Sequence, residues 1–273
     1  MIELFTELLS FHFIQRALVV GVLVALCAAL LGVSLVLKHY SMIGDGLSHV
    51  GFGALSVAVA MNVAPLMVSI PVVIVAAVLL LRISEKGNIK GDAAIALISS
   101  SSIAVGVIVT SFSTGMNADV YNFLFGSILA LSQNDVYLSV GLSLIVLILF
   151  IFSYNKIFAV TFDEDFAKAT GIHSEFYNML IALSTAVTIV IGMRIMGALL
   201  ISSLLIFPAL SSMRIFASFK RVIICSAFIS VICFFFGIVA SYAFDTPAGA
   251  SIVAVNMVAF GICSLVGFVA KRV

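Results

Sequence analysis

The feature that most constrains this chain is a series of apolar runs, each about 20 residues long. Runs of this length without alternating polarity predict α-helices that cross a lipid bilayer. The chain is 63% hydrophobic and only 9% charged, so it has too few polar side chains to cover a globule in water. We therefore predict an all-α integral membrane protein, because each helix satisfies its own backbone hydrogen bonds in lipid.

The apolar runs predict eight to nine transmembrane helices within a single transmembrane domain over residues 1–273. The count stays open because the joints near residues 62–64 and 193–196 are very short. Residues 1–15 are amphipathic and are predicted to lie along the outer interface. A shorter apolar stretch, residues 121–131, predicts a re-entrant or interfacial helix on the outer side. The predicted spans are 17–37, 43–62, 64–82, 93–113, 135–155, 175–193, 196–214, 222–243 and 248–269.

The basic residues predict the orientation, because Lys and Arg concentrate in cytoplasmic loops. With the N-terminus outside, 11 of the 13 Lys and Arg residues face the cytoplasm, and only Arg16 and Arg194 fall on the outer side. The opposite orientation reverses this ratio. We therefore predict an outer N-terminus and a cytoplasmic C-terminus. Arg194 is predicted to pair with an outer acidic residue such as Asp119 or Asp245.

Two polar residues in the second predicted span, Asp45 and His49, are the candidate site. Residues four apart lie on one helix face, so the carboxylate and the imidazole point the same way. A carboxylate within a membrane span is costly and usually marks an ion or substrate path. A hard oxygen donor beside a borderline nitrogen donor suits a divalent transition metal. The alternative interpretation is a buried Asp–His hydrogen bond that only holds helices together.

Small residues surround this pair. Ser48 either orients a ligand or a water at the site or packs at a helix interface. Gly44, Gly46, Gly51 and Gly53 make the helix thin, which favours close packing against another helix, including one at a dimer axis.

The most charged stretch of the chain, residues 160–174, predicts a short cytoplasmic helix. Thr161 or Asp163 is suited to cap its start and Gly171 to end it. Phe162 and Phe166 then lie on one apolar side. Such a helix is suited to docking into a groove on another protein, and the alternative is a plain solvated connector.

Three motifs resemble the membrane permeases of bacterial ABC importers for zinc, manganese and related metals. The first, residues 41–49, reads SMIGDGLSH and is similar to the Asp-x-Leu-Ser-His segment of that family. The second, residues 162–172, reads FDEDFAKATGI and resembles the segment that meets the ATPase. The third, residues 197–209, runs from Gly-Ala-Leu-Leu-Ile to Phe-Pro-Ala. The resemblance extends from about Phe13 to the C-terminus.

The resemblance implies a fold similar to the permease of the vitamin B12 type of ABC importer. It implies a homodimer or a pair of similar permeases at the bacterial cytoplasmic membrane. It also implies a cytoplasmic ABC ATPase dimer and an extracytoplasmic metal-binding protein as partners. It also implies that Asp45 and His49 coordinate a transported Zn²⁺ or Mn²⁺. The residues it implies for ATPase coupling are Phe162, Asp163, Glu164, Ala167, Gly171 and Ile172.

We expect no permanently bound cofactor, no nucleic-acid partner and no enzymatic activity in the chain itself. No Gly-x-x-x-x-Gly-Lys-Ser/Thr motif occurs in the sequence, so ATP hydrolysis is expected on a separate subunit. The main alternative is an ion-coupled secondary metal transporter, which broken helices in paired halves would favour. An intramembrane metalloprotease would need a His-Glu-x-x-His motif or a second ligand cluster, and the sequence has no such motif.

Overall fold

The computed structural model describes residues 12–86, 91–112, 124–126, 132–198 and 201–270, and within these ranges the regular structure is α-helical. Ten helices follow one another along the described chain. They are α1 (His12–Leu37), α2 (Ser41–Ala60), α3 (Pro65–Lys86), α4 (Gly91–Phe112), α5 (Gln133–Phe162), α6 (Glu164–Ala169), α7 (Ser174–Met196), α8 (Ile201–Ile215), α9 (Phe219–Phe244) and α10 (Ala248–Ala270).

Eight helices in the described ranges are long and apolar enough to cross a membrane, and α8, with 15 residues, is a shorter apolar helix. The prediction of eight to nine spans is therefore confirmed. Helix α1 begins at His12, so residues 12–15 continue the first helix, and the rest of the predicted interfacial segment, residues 1–11, lies outside the described residues. Of the predicted segment 121–131, only Leu124–Gly126 is described.

Helix α2 is central in the bundle and packs against α3, α4, α7 and α8. Its glycines allow close contacts within the chain. A Cβ atom placed on Gly53 would lie 2.7 Å from the carbonyl oxygen of Ser102 on α4, and one on Gly46 would lie 2.8 Å from Cγ2 of Ile95 on the same helix. Gly46 and Gly53 thus pack against α4 of the same chain, so these two glycines do not form close contacts with a second copy at a dimer axis.

The charged residues divide between two ends of the bundle. Lys38, which follows α1, and Lys168 on α6 both contact Glu164. Arg194 is near the far end of α7, and it contacts Asp135 in the first turn of α5. Because α5 has 30 residues and is about 45 Å long, these two groups are separated by the thickness of a membrane. This arrangement matches the predicted division of basic residues, and which end faces the cytoplasm stays a prediction.

Candidate metal-binding site

Asp45 and His49 lie on α2, in the half of the helix that begins beside Lys38. Asp45 comes four residues after the start of α2 at Ser41, which places it about 6 Å along the axis, and His49 is one turn further. The pair is therefore off the middle of the span, toward the end of the bundle that contains Lys38 and α6.

The two side chains face each other, as the spacing of four residues predicts. The His49 Nε2 atom is 3.5 Å from the Asp45 Oδ2 atom. Two ligands that bind one Zn²⁺ at ~2.1 Å in a tetrahedral arrangement are about 3.4 Å apart. A metal ion can therefore bind both atoms with little rearrangement of α2.

The two side chains differ in their exposure. The side chain of His49 is 12% exposed, whereas that of Asp45 is 38% exposed, so the carboxylate opens to the surface of the single chain. Within the described ranges, no group of three or more His, Cys, Asp or Glu side chains is placed to hold a metal ion. One copy of the chain thus offers two protein ligands, which is half of a tetrahedral set.

Ser202 on α8 is a third residue at the site, and the sequence analysis did not identify it. Its hydroxyl donates a hydrogen bond to the Asp45 Oδ1 atom at 3.3 Å. This bond leaves Oδ2 turned toward His49 and fixes the carboxylate between two helices. Ser202 lies inside the third family-like motif, so the signal was present in the sequence, but two neighbouring serines gave no means of choosing between them.

Ser48 does not contact the carboxylate. It is fully buried, and its hydroxyl donates to the backbone carbonyl of Asp45 at 2.7 Å. This is a local bond within the helix, of the kind that serine commonly makes in apolar surroundings. This geometry is compatible with the packing interpretation of Ser48, and its role in orienting a ligand or a water stays a prediction.

The imidazole of His49 has two ring nitrogens in different settings. Nε2 faces Asp45, while Nδ1 is buried and has no hydrogen-bond partner among the described residues. A metal-binding histidine must present a bare nitrogen to the ion and carry its proton on the other one. Because no described group fixes the Nδ1 proton, His49 can change between the tautomer that donates to Asp45 and the one that binds a cation.

The predicted cytoplasmic helix is present as α6, and its ends are formed as expected. The Asp163 side chain caps it, with Oδ1 accepting a hydrogen bond from the Phe166 N–H at 2.9 Å. Gly171 follows it with a φ of +83°, in the left-handed region. The N–H groups of Gly171 and Ile172 donate to the carbonyls of Lys168 and Ala167, which is a Schellman ending.

The residues expected to contact an ATPase have different environments. Phe162 and Phe166 are 57% and 63% exposed and form an apolar surface beside α6. Phe162 also packs against Phe158 and Phe219, with ring centroids 5.0 and 5.7 Å apart. Ala167 is fully buried, so its side chain fixes α6 to the chain and is not available to a partner.

Glu164, the first residue of α6, is held by three neighbours. Burial raises the pKa of its carboxyl. Hydrogen bonds from Lys168 and Asn178 and the positive charges of Lys38 and Lys168 outweigh this effect and lower the pKa to about 2. Glu164 is therefore ionised at neutral pH and serves as the anionic centre of this end of the bundle.

Comparison with known proteins assigns the family. The ABC 3 transport family matches residues 10–267. The manganese import system permease protein ScaB of Streptococcus gordonii is 28% identical over 258 residues, which cover 94% of this chain and 92% of that protein. The high-affinity zinc uptake system membrane protein ZnuB of Haemophilus influenzae is 27% identical over 244 residues, covering 89% and 93%.

The solved structures include a similar fold. A chain of PsaBC from Streptococcus pneumoniae in complex with Fab superposes with a TM-score of 0.86 at 30% identity, covering 96% of this chain and 95% of that one. This likeness confirms the predicted all-α membrane fold. With a family match over nearly its whole length, the chain belongs to the ABC 3 transport family.

Proposed function

We propose that this chain is the permease subunit of an ABC importer that moves a divalent transition metal across the bacterial cytoplasmic membrane. The observation that carries the proposal is the Asp45–His49 pair, a carboxylate and an imidazole 3.5 Å apart in an apolar helix, with the carboxylate open to the surface. The family supports it, since relatives are named for manganese import and zinc uptake.

The functional unit is a pair of permeases, most simply two copies of this chain. One copy provides two donors, and a twofold axis beside Asp45 would provide two carboxylates and two imidazoles around one ion. The exposed Asp45 carboxylate supports this arrangement, because a carboxylate open to lipid is costly and one facing a shared polar path is not.

ATP is hydrolysed by a separate cytoplasmic ATPase dimer, and an extracytoplasmic binding protein delivers the metal. Residues 160–174 form the ATPase-coupling segment, and the apolar surface of Phe162 and Phe166 is one part of its exposed surface. This requires the predicted orientation, with the N-terminus outside and the C-terminus in the cytoplasm. The end of the bundle that contains Lys38 and Lys168 then faces the cytoplasm.

The transported metal is of the zinc and manganese class. A set of two carboxylates and two imidazoles accepts Zn²⁺ in a tetrahedral arrangement, and Mn²⁺ binds a given site more weakly. A transport site must release its ion, so weak binding is compatible with function.

The test is metal uptake by cells that contain the permease with its own ATPase and binding protein, with zinc and manganese in competition. Asp45→Asn and His49→Gln should each reduce uptake to background while the protein still inserts and assembles. Asp245→Asn is the matched control, because Asp245 is an exposed residue at the end of α9. Uptake at the wild-type rate in Asp45→Asn would remove this residue from the path.

Depletion of ATP with the proton gradient clamped separates the proposal from an ion-coupled secondary transporter. Uptake by an ABC importer should stop, whereas uptake driven by a gradient should continue.

A further inference from the structure

A buried polar cluster joins the coupling helix to the bundle at a distance from the metal site. The cluster consists of Lys38 after α1, Glu164 on α6 and Asn178 on α7, and we call it the Lys38 cluster. The Lys38 Nζ atom is 3.4 Å from the Glu164 Oε2 atom and also donates to the Asn178 side-chain oxygen. The Asn178 amide donates to the same Glu164 oxygen at 3.2 Å.

This cluster is more than a surface ion pair. The Lys38 side chain is only 9% exposed and Asn178 is 3% exposed, whereas the Glu164 side chain is 35% exposed, so the buried charge of the pair is that of Lys38. A surface pair contributes little, but a buried charge that loses its partner is strongly unfavourable. The position of Lys38 is therefore tied to the position of Glu164.

Lys38 is also tied to the helix that carries the metal site. The turn between α1 and α2 contains only residues 38–40. His39 adopts a left-handed conformation with a φ of +59°, and the Tyr40 N–H donates to the Leu35 carbonyl at 2.8 Å. The Ile43 N–H in turn donates to the Tyr40 carbonyl at 3.0 Å. A displacement of Lys38 is thus passed through a short hydrogen-bonded turn to the beginning of α2.

A small cavity of about 10 Å³ lies against the same residues. Lys38 and Asn178 line this apolar cavity together with Tyr40 and Ile43. Ile43 is two residues before Asp45 on α2. A shift of the Lys38 side chain therefore changes the walls of a space that reaches the first turn of the metal-site helix.

We propose that the Lys38 cluster transmits movement of α6 to α2, so that ATP-driven displacement of the coupling segment changes the position of Asp45 and His49. The proposal rests on the proposed function of residues 160–174 as the ATPase-coupling segment. Glu164 is the positioning residue on α6, and Lys38 is its counterpart at the start of the metal-site helix.

The chain offers a matched pair of variants for the test. Glu164→Gln removes the charge that holds Lys38 and keeps the size of the side chain. Asp245→Asn removes a charge from an exposed residue at the end of α9, outside residues 160–174. Lys38→Met removes the other partner and keeps most of the apolar stem, and the exchange Lys38→Glu with Glu164→Lys restores opposite charges in reversed positions.

The experiment uses the complete importer in proteoliposomes, with the permease, its ATPase and the metal-loaded binding protein, and measures metal ions transported per ATP hydrolysed. Glu164→Gln and Lys38→Met should assemble with the ATPase and hydrolyse ATP, but transport per ATP should fall by about fivefold or more. Asp245→Asn should match the wild type, and the charge exchange should recover part of the loss.

A second measurement shows whether the Lys38 cluster transmits the movement of α6 to α2 or only holds α6 in place. Spin labels at Asp165 and Met42, both exposed positions, report the distance between α6 and the start of α2. In the wild type, the two helices should move together, so ATP binding should change this distance little and less than in the Lys38→Met variant. In Lys38→Met, α6 should move without α2.

The outcomes are distinguishable. If the wild-type importer does not couple metal transport to ATP, the proposed function itself fails. If it does, and Glu164→Gln transports as much metal per ATP as Asp245→Asn, only the transmission is overturned. Failure of Glu164→Gln to assemble would also overturn it, because the cluster would then serve folding alone.

Discussion

Arg194 near the end of α7 donates a hydrogen bond to Asp135 in the first turn of α5, with 2.9 Å between Nη2 and Oδ2. The two side chains are 9% and 19% exposed, so the pair is largely buried. Asp135 also accepts from the Ser132 N–H at 3.2 Å as part of a capping box at the start of α5. The pair thus joins two long helices at the end of the bundle opposite Lys38.

Removal of one partner should leave an uncompensated buried charge. Arg194→Met or Asp135→Asn should each lower the free energy of unfolding by about 3 kcal/mol. The double variant should lose clearly less free energy of unfolding than the two single variants added together, because it removes both charges of this ion pair. Reversible unfolding in detergent micelles measures all three. Asp245→Asn is the control, since this aspartate is exposed, and strictly additive effects would show that the two side chains do not interact.

Ser202 should matter for metal binding without being a ligand. Its hydroxyl fixes one oxygen of Asp45, and the loss of such a supporting bond typically costs about 10–100-fold in metal affinity. Ser202→Ala should weaken binding of Mn²⁺ or Zn²⁺ to the purified importer by that amount, measured by titration calorimetry.

The neighbouring serine provides the control for Ser202. Ser203 lies about 100° around α8, so Ser203→Ala should leave the affinity unchanged. Ser202→Thr retains the hydroxyl and should recover most of the binding. Equal effects of the two alanine variants would assign Ser202 to packing.

The carboxyl of Glu164 should give the protein an acid-sensitive contribution to stability. Its pKa is lowered from 4.5 to about 2 in the folded chain, so its ion pairs stabilise the fold fully above pH 4.5. This contribution is lost as the pH falls from about 4.5 toward about 2, since the unfolded chain then binds the proton first.

The difference in stability between the wild type and Glu164→Gln measures this contribution. The difference should be constant between pH 7 and pH 5 and should decrease below pH 4.5, when unfolding is followed in detergent. Asp165→Asn serves as the exposed control. A difference that stayed constant down to pH 3 would contradict the lowered pKa.

Local features of the sequence determined most of what was predicted correctly. A separation of four residues on a helix brings Asp45 and His49 together whatever the rest of the chain does. Asp163 and Gly171 end a short helix through bonds to their own neighbours. Apolar runs of membrane length fix the spans, because the bilayer sets their length.

The contacts between distant residues were not predictable in the same way. Ser202 is 157 positions from Asp45, and Asp135 is 59 positions from Arg194. The sequence analysis predicted that Arg194 pairs with an outer acidic residue and named Asp119 and Asp245 as examples. The structure pairs it with Asp135, and Asp119 lies outside the described residues. Such a choice depends on which helices are neighbours, and charge alone does not determine this.

The contact between α2 and α4 should depend on Gly53. A methyl group at this position would lie 2.7 Å from the Ser102 carbonyl oxygen, which belongs to the backbone and cannot rotate away. Gly53→Ala should therefore separate the helices and lower the free energy of unfolding by about 1–3 kcal/mol. Gly141 on α5 is the matched control, because its added Cβ would have no atom within 4 Å.

Gly141→Ala should raise the free energy of unfolding by about 0.5–1 kcal/mol, since alanine is the better helix former. The two substitutions are chemically identical, but they are expected to change the free energy of unfolding in opposite directions. A comparison of the two variants in detergent therefore cancels general effects of the added methyl group. Stabilisation by Gly53→Ala would mean that α4 does not lie against this face of α2. The same result would remove the close helix contact that positions the half of α2 beyond His49.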